Sequence, residues 1–489
     1  MSKTFNTGPA AAVNIGAMDT HAATSTVPPS RPARPPGPSA RWFGLPLLAA
    51  LQRDYLGFTS QLRTQYGDLT YARVAFEHAY DVFSPELVRE LLVANADGLK
   101  RWERGLEVFE QLMGQSVLVT EGEVWQRQRR MLQPGFSPRR VAGYATLMSG
   151  SAAKGLDAAL PGGAVEGRVD MDTLFTRLAM DVILRTLFSS EASEQSTRAI
   201  DAVQVASECA FREMFRPMTL PDWLPLPGKA AKRRALRTLR DLVDGHIAAR
   251  RAAGPGDHDD LLGTLLSARD EATGEGLSAQ EVHDQCMVTF QAGHETSATA
   301  LLWWSRLIAG EPEALARAQQ EVDEVLQGAT PVAADLARLP WLTATLKEAM
   351  RLYPPIPALM SRRATRDIQL GDWRIPKGSL VRVTPWVIQR DGRHFDHAAR
   401  FLPQRFTDPD DKAPRGAWLP FGTGPRVCIG QHFAMLEMTV IAAMLLQRYE
   451  LRLPDDAPAC EPAMHVTLRP KDGVTLVLRR RQRCSVPKA

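Results

Sequence analysis

Phe421-Gly422-Thr423-Gly424-Pro425-Arg426-Val427-Cys428-Ile429-Gly430 is the stretch on which the reading of this chain turns. It follows Leu419-Pro420 and precedes a helical run from Gln431 to about Tyr449. A thiolate at Cys428 would sit at the start of that helix, where free amides and the positive dipole end stabilise its charge and lower its pKa. The glycines permit tight turns and a close backbone approach to a flat ligand. Arg426 adds a permanent cation with forked donors, suited to a carboxylate. A lone cysteine is ordinarily a small buried hydrophobe. Here the context outweighs that reading, because at this chain's own residue frequencies one Phe, three Gly, one Arg and one Cys in this frame would arise by chance on the order of 10^-5 times.

Upstream, Ser278-Ala279-Gln280-Glu281 has the form of a capping box, the Ser hydroxyl meeting a free amide and the Glu reaching back. The pattern predicts a helix from there to about Ile308, roughly 30 residues or about 45 Å, enough to cross the whole molecule. Its middle reads Phe290-Gln291-Ala292-Gly293-His294-Glu295-Thr296-Ser297. Ala292 and Thr296 share a face with Gly293 beside them, so small side chains open a gap next to a hydroxyl and a neighbouring acid. Gly in a helix interior costs about 1 kcal/mol relative to Ala. A bulky ligand at the backbone accounts for that cost, and so does a crossing helix that needs small residues; the sequence leaves both open.

Phe421, Gly424, Arg426, Cys428 and Gly430, in the frame Phe-x-x-Gly-x-Arg-x-Cys-x-Gly with Gly422 inside it, resemble the haem-thiolate loop of the cytochrome P-450 superfamily. Other segments agree in order and spacing. Ala292-Gly293-x-x-Thr296 resembles the family's oxygen-binding helix, and Glu348-Ala349-Met350-Arg351 before Leu352-Tyr353-Pro354-Pro355 resembles its Glu-x-x-Arg helix. Phe401-Leu402-Pro403-Gln404-Arg405-Phe406 is similar to Phe-x-Pro-Glu-Arg-Phe, and Trp125 to Arg129 to Trp-x-x-x-Arg. The resemblance covers about residues 40 to 480 and implies one cytochrome P-450-like domain, mainly α with minor β, with the long central helix over the haem.

The family frame also implies roles. Glu348 and Arg351, three apart on one helix face, can pair, and the resemblance adds Arg405 as a third member of a core network behind the haem. Trp125 and Arg129, four apart, can reach one anionic group, which by resemblance is a haem propionate. Arg362 resembles the second propionate-binding arginine, with Arg363 as the alternative by register. Two positions depart from the pattern. Gln404 replaces a usual Glu, so a hydrogen bond in place of an ion pair is expected near Arg405. Gln389-Arg390-Asp391 replaces His-Arg-Asp, which puts imidazole-dependent contacts in doubt.

By this resemblance Cys428 ligates the iron of haem b (iron protoporphyrin IX), the proximal thiolate that favours O–O cleavage. O2 binds on the opposite face, and two electrons and two protons lead to insertion of oxygen into a C–H bond. Thr296, with Glu295 nearby, is the candidate for organising water and protons. By family position, residues in Leu99 to Met113, Phe290, Ala292, Ile356 to Met360 and Ala463 to Thr467 line the distal pocket. They are mainly apolar, so a fatty acid, terpenoid or aromatic substrate is expected. Electrons are expected from a separate ferredoxin or flavodoxin with its reductase, steered to Arg127, Arg129, Arg130, Arg139 and Arg140, unless these form only a solvated basic face. A haem-thiolate isomerase or dehydratase, a peroxygenase and a non-catalytic haem sensor are the alternatives; the Glu295-Thr296 pair favours the monooxygenase.

Composition bounds the rest. The 489 residues are 44% hydrophobic and 23% charged, as in a soluble globular protein, and can bury a large core. Lys+Arg 59 against Asp+Glu 55 leaves +4, too little to imply nucleic acid as a default partner. Cys209, Cys286, Cys428, Cys460 and Cys484 show no zinc-like or C-x-x-C spacing, which argues for a reducing, cytoplasmic compartment. Residues 1–40, rich in Ala, Thr, Ser and Pro, are expected to be a disordered arm ahead of a domain over 41–489. No apolar run approaches the roughly 20 residues of a membrane span, so a protein without a transmembrane anchor is expected; a monomer is expected as well. Leu69–Val74 and Ala79–Ser84 read as a strand pair with a helix from Pro85 to Val93 behind it, and 368–370 and 380–383 again have strand character.

Overall fold

The computed structural model describes residues 34–216, 218–254, 260–410 and 413–481. Most of the expected arm, and Cys484, lie outside the described residues. From Arg34 onward the chain forms one compact unit, and the Pro36 carbonyl accepts a hydrogen bond from the Tyr71 amide.

Helices dominate. Those that position the site are α1 (Leu45–Arg53), α2 (Glu103–Met113), α3 (Gly122–Leu132), α4 (Met171–Phe188), α5 (Glu194–Met214), α6 (Lys229–Ala253), α7 (Ala279–Ala309), α8 (Pro340–Leu352) and α9 (Gln431–Arg448). The capping box is present as read: Glu281 N donates to Ser278 Oγ at 3.2 Å and Ser278 N to Glu281 Oε2 at 2.9 Å. From that cap α7 runs 31 residues, about 46 Å, packed along α4 and touched by α8 and α9. Its distal half is anchored by two indoles: Trp303 Nε1 donates to Leu468 O at 2.6 Å, and Trp304 Nε1 to Thr345 Oγ1 at 2.9 Å.

The minority of strands is as expected, with the first at Leu69–Val74 (β1) and its partner at Glu77–Val82 (β2). With β3 (Leu99–Arg101), β4 (Arg362–Ala364) and β5 (Leu380–Val383) they form a sheet of order β1-β2-β5-β4-β3. β2 and β5 are parallel, and β4 lies antiparallel to both β5 and β3. This register sets Arg101 directly opposite Arg362. A last hairpin, β6 (Pro462–Met464) with β7 (Leu468–Pro470), is tied to the end of α8 by Leu468 N donating to Pro355 O at 2.9 Å. The expected helix over Pro85–Val93 is real but changes pitch: α-helical over Pro85–Arg89, then a wider turn over Glu90–Ala94.

Candidate functional site

The loop before α9 is shaped by two glycines. Gly422 and Gly424 have φ of +73° and +77°, and a Cβ on Gly424 would lie 2.1 Å from the Leu92 carbonyl oxygen, so no other residue fits there. Val427 N closes on Gly424 O at 3.0 Å and Cys428 N on Phe421 O at 2.9 Å. The turn presents Sγ of Cys428 to an internal cavity of about 790 Å³. The expected lowering of the thiol pKa is not what this environment produces: burial raises it, and the Gly430 amide and the Arg129 guanidinium only partly oppose that rise. The helix dipole loses to desolvation because the sulfur's free surface opens into a mainly apolar interior and not into water. A bound cation would hold the thiolate.

Across the cavity, Ala292, Gly293 and Thr296 line the opposite wall with Ile183 of α4. The Thr296 hydroxyl donates to Ala292 O at 2.9 Å. Both accounts of Gly293 find support, since it lines the cavity and lies where α4 crosses α7. A Cβ there would come within 2.8 Å of Ile183 Cδ1, so its small size serves the crossing of α4 and α7. Glu295 is not a free acid. Ser207 of α5 donates to its Oε2 at 2.9 Å and Thr467 to its Oε1 at 2.8 Å. The same carboxylate also borders a second, polar cavity of about 620 Å³ between α4, α5 and the last hairpin.

One side of the main cavity is a belt of buried cations. Arg101, Arg129, Arg362 and Arg426 line it together with Trp125. Glu121 meets Arg101 Nε at 2.7 Å and Arg426 Nη2 at 2.6 Å, and Arg426 lies 3.8 Å over the Trp125 ring. Burial lowers the pKa of Arg129 and of Arg101, and pushes Arg362 down to about 10 and Arg426 down to about 9; for Arg362 the next cause is the Arg101 charge opposite it. Four guanidinium groups against one carboxylate leave three uncompensated charges around this wall, an arrangement that burial penalises unless an anion sits among them. Arg362, not Arg363, faces the cavity; Arg363 pairs with Glu77 and with Glu103 at 3.0 Å. A flat group with a metal centre above Cys428 and two carboxylates at the belt fits the residues present.

Behind the loop, Glu348 and Arg351 are fully buried and paired at 2.7 Å, and Arg405 reaches Glu348 Oε1 at 3.4 Å. Arg351 also donates to the carbonyls of Gln389, Ala398 and Arg400. The expected Gln404 substitute bond is not what the fold uses: Gln404 is exposed, and Arg405 bonds the carbonyls of Asp396 and His397. Gln389, at the position the resemblance gives to a histidine, is fully bonded. Its Nε2 donates to Met350 O and Arg351 O, and its Oε1 accepts from Leu419 N at 2.6 Å, just ahead of the cysteine loop.

The cavity lining agrees with most of the expected apolar segments, including Phe109, Ile356, Leu359, Met360 and Met464. Phe290 is a correction: it is fully buried in the core beside His294 and does not line the cavity. Phe211, Met214 and Phe215, at the end of α5, do line it and carry no motif. Nor is the basic face as free as expected, since Arg127 pairs with Glu281, Arg130 with Asp270 at 3.1 Å, and Arg129 turns inward.

A sequence model of the cytochrome P-450 family matches residues 35–477. The chain is 34% identical over 441 residues to cyclooctat-9-en-7-ol 5-monooxygenase of Streptomyces melanosporofaciens, covering 88% of this chain and 92% of that one. It is 35% identical to cyclooctatin synthase of the same organism, over 87% of this chain and 93% of that one. Against pentalenene oxygenase of Streptomyces avermitilis it is 31% identical, over 86% and 92%.

Proposed function

The chain belongs to the cytochrome P-450 family and is a monooxygenase of that family, and on that premise we propose that it oxygenates a hydrophobic terpenoid held between α7 and the Cys428 loop. The observation that carries this reading is the apolar cavity of about 790 Å³ with a thiol on its floor and cations on one wall. The terpenoid class is supported by the relatives named for cyclooctatenol and pentalenene chemistry and by a cavity lining that is mainly aliphatic and aromatic.

Haem b would be held by Cys428 at its iron and by Trp125, Arg101, Arg129, Arg362 and Arg426 at its propionates. When bound, it supplies O2 activation and transfer of one oxygen atom. The chain's own residues supply the surroundings. Thr296, with its proton given to Ala292 O, offers lone pairs to a water in the cavity. Glu295 borders both the main cavity and the polar one, which supports a route by which protons reach Thr296 from the polar side. Phe109, Leu112 and Met360 exclude other water. The electron donor we assign is a ferredoxin or flavodoxin with its reductase, approaching from the cysteine side in the cytoplasm.

The test is the absorption spectrum of the reduced, carbon monoxide-treated holoprotein. A strongly red-shifted Soret band that disappears in Cys428→Ala is expected. A band typical of a neutral axial ligand overturns the reading. Oxygenation of terpenoid alcohols or hydrocarbons that depends on O2 and an added donor separates it from isomerase and sensor roles.

A further inference from the structure

The sheet carries a row of buried polar side chains that the Cys428 loop and the cation belt do not use. Its register sets Thr70 of β1 opposite Asp81 of β2, and Asp81 opposite Arg382 of β5, so the three share one face of adjoining strands. Thr70 and Asp81 are fully buried, and Arg382 is 6% exposed. Arg382 Nη2 donates to Asp81 Oδ2 at 2.6 Å. The pairing is incomplete: Thr70 Oγ1, Asp81 Oδ1 and Arg382 Nε have no hydrogen-bond partner among the described residues. Buried polar atoms are nearly always bonded, so three orphans in one row call for a reason. Tying the strands together is a weak one, because an apolar pair of the same volume often serves as well as a buried ion pair.

The helix Tyr55–Tyr66 brings Tyr55 to the same charges. Its hydroxyl lies 3.5 Å from Thr384 Oγ1, and the fields of Arg382 and Asp81 both act on it. Burial raises its pKa, which keeps the phenol protonated. Burial also works against the Arg382 charge, but Asp81 and Tyr55 outweigh it, and the guanidinium pKa lies above its usual value. The cluster thus holds one cation against one anion. Tyr55 and Arg382 line the main cavity, whereas Asp81 and Thr70 do not. Beside them the lining is Leu48, Leu51, Ala79 and Leu380. Ala72 and Ala79, the next pair along the same sheet face, are too small to cover the polar row. This end of the cavity is an apolar chamber with one polar point.

Resting on the terpenoid reading above, we propose that Arg382 and Tyr55 form a subsite for a hydroxyl group that the terpenoid already carries, so that the substrate is an alcohol and not a hydrocarbon. A guanidinium N–H donates to the hydroxyl oxygen, and the hydroxyl donates to the Tyr55 oxygen. A donor beside an acceptor matches a hydroxyl, which offers one of each. Asp81 acts through Arg382 as a positioning residue: it fixes the guanidinium and cancels its charge. That cancellation disfavours a carboxylate, which needs an uncompensated cation to be buried. A hydrocarbon would leave the polar point buried without a partner, the situation in which a site discriminates most strongly. The same cavity continues to Cys428, Ala292 and Thr296, so a molecule tethered at the sheet keeps its carbon skeleton in the space that leads to the thiol.

Equilibrium dialysis of the holoprotein against farnesol and β-farnesene, an alcohol and a hydrocarbon of equal carbon number, tests this by binding alone. Farnesol should bind at least about tenfold tighter than β-farnesene. In Asp81→Asn with Arg382→Met, which removes both charges together, that preference should vanish while the carbon monoxide band shows the haem still held. Tyr55→Phe leaves the ion pair intact and should cut the preference by about threefold. Equal binding of the two ligands by the parent, or a preference that both variants keep, overturns the proposal. Tighter binding of farnesoic acid than of farnesol overturns it too, since the subsite then takes an anion. Failure of the terpenoid reading looks different: neither farnesol nor β-farnesene then binds the parent, and the subsite falls with that reading.

Discussion

Glu437 sits on α9, nine residues past the cysteine, with both carboxylate oxygens buried and Ser297 of α7 within reach. Burial pushes its pKa up to about 8 from 4.5. The folded chain therefore holds a proton that the unfolded chain has released above about pH 4.5. The stability this proton confers is full below that pH and is lost as pH rises through about 8. Glu437→Gln should accordingly melt like the parent near pH 5 and higher than the parent near pH 8.5, measured by calorimetry. Parallel pH profiles of the two proteins would show that Glu437 is ionised in the fold. Nothing local in the sequence marks this residue, because its environment is made by α7, 140 positions away. Gln389 is a similar case: the sequence put its contacts in doubt, and it makes three hydrogen bonds because two carbonyls and one amide converge on it only in the folded chain.

At the scale of elements, α7 was legible to its cap and nearly to its end, since a capping box and a 3.6-residue period are local properties. What faces each residue of α7 was not. Gly293 lies where α4 crosses. Gly293→Ala should lose roughly 1–2 kcal/mol: overpacking costs about 1–3 kcal/mol, partly offset by the better helix propensity of Ala. Ile183→Val removes the Cδ1 atom that the new methyl would strike, so the double variant should regain most of the melting temperature. If Ile183→Val adds its own loss to that of Gly293→Ala, the crossing is not what requires glycine. The Glu348–Arg351 pair was equally readable as a spacing, yet whether it was a surface pair or a core network depended on the carbonyls of residues 389–400 closing over it.

For the whole molecule, the cation belt draws on β3, α3, β4 and the cysteine loop, four segments spread over 325 residues of chain. Arg101 and Glu121 belong to it and had no motif to announce them. Without a bound anion, three of its charges are uncompensated, which predicts that haem-free protein melts well below holoprotein and that the gap narrows at high salt, where counter-ions screen the belt. A gap independent of ionic strength would place the stabilisation in the thiol and the apolar walls. Arg362→Ala should ease the haem-free protein while weakening haem retention, measured by transfer to apomyoglobin.

The sequence by itself determined the family, the cysteine, the long helix and the identity of the paired residues behind the loop, because turn glycines, caps and i, i+3 spacings act within a few residues. Only the tertiary structure decided which of Arg362 and Arg363 faces the cavity, that Glu295 is held by Ser207 and Thr467, and that Phe290 belongs to the core. Each of these depends on which distant element comes to lie opposite a given side chain, and burial and charge are properties of that encounter.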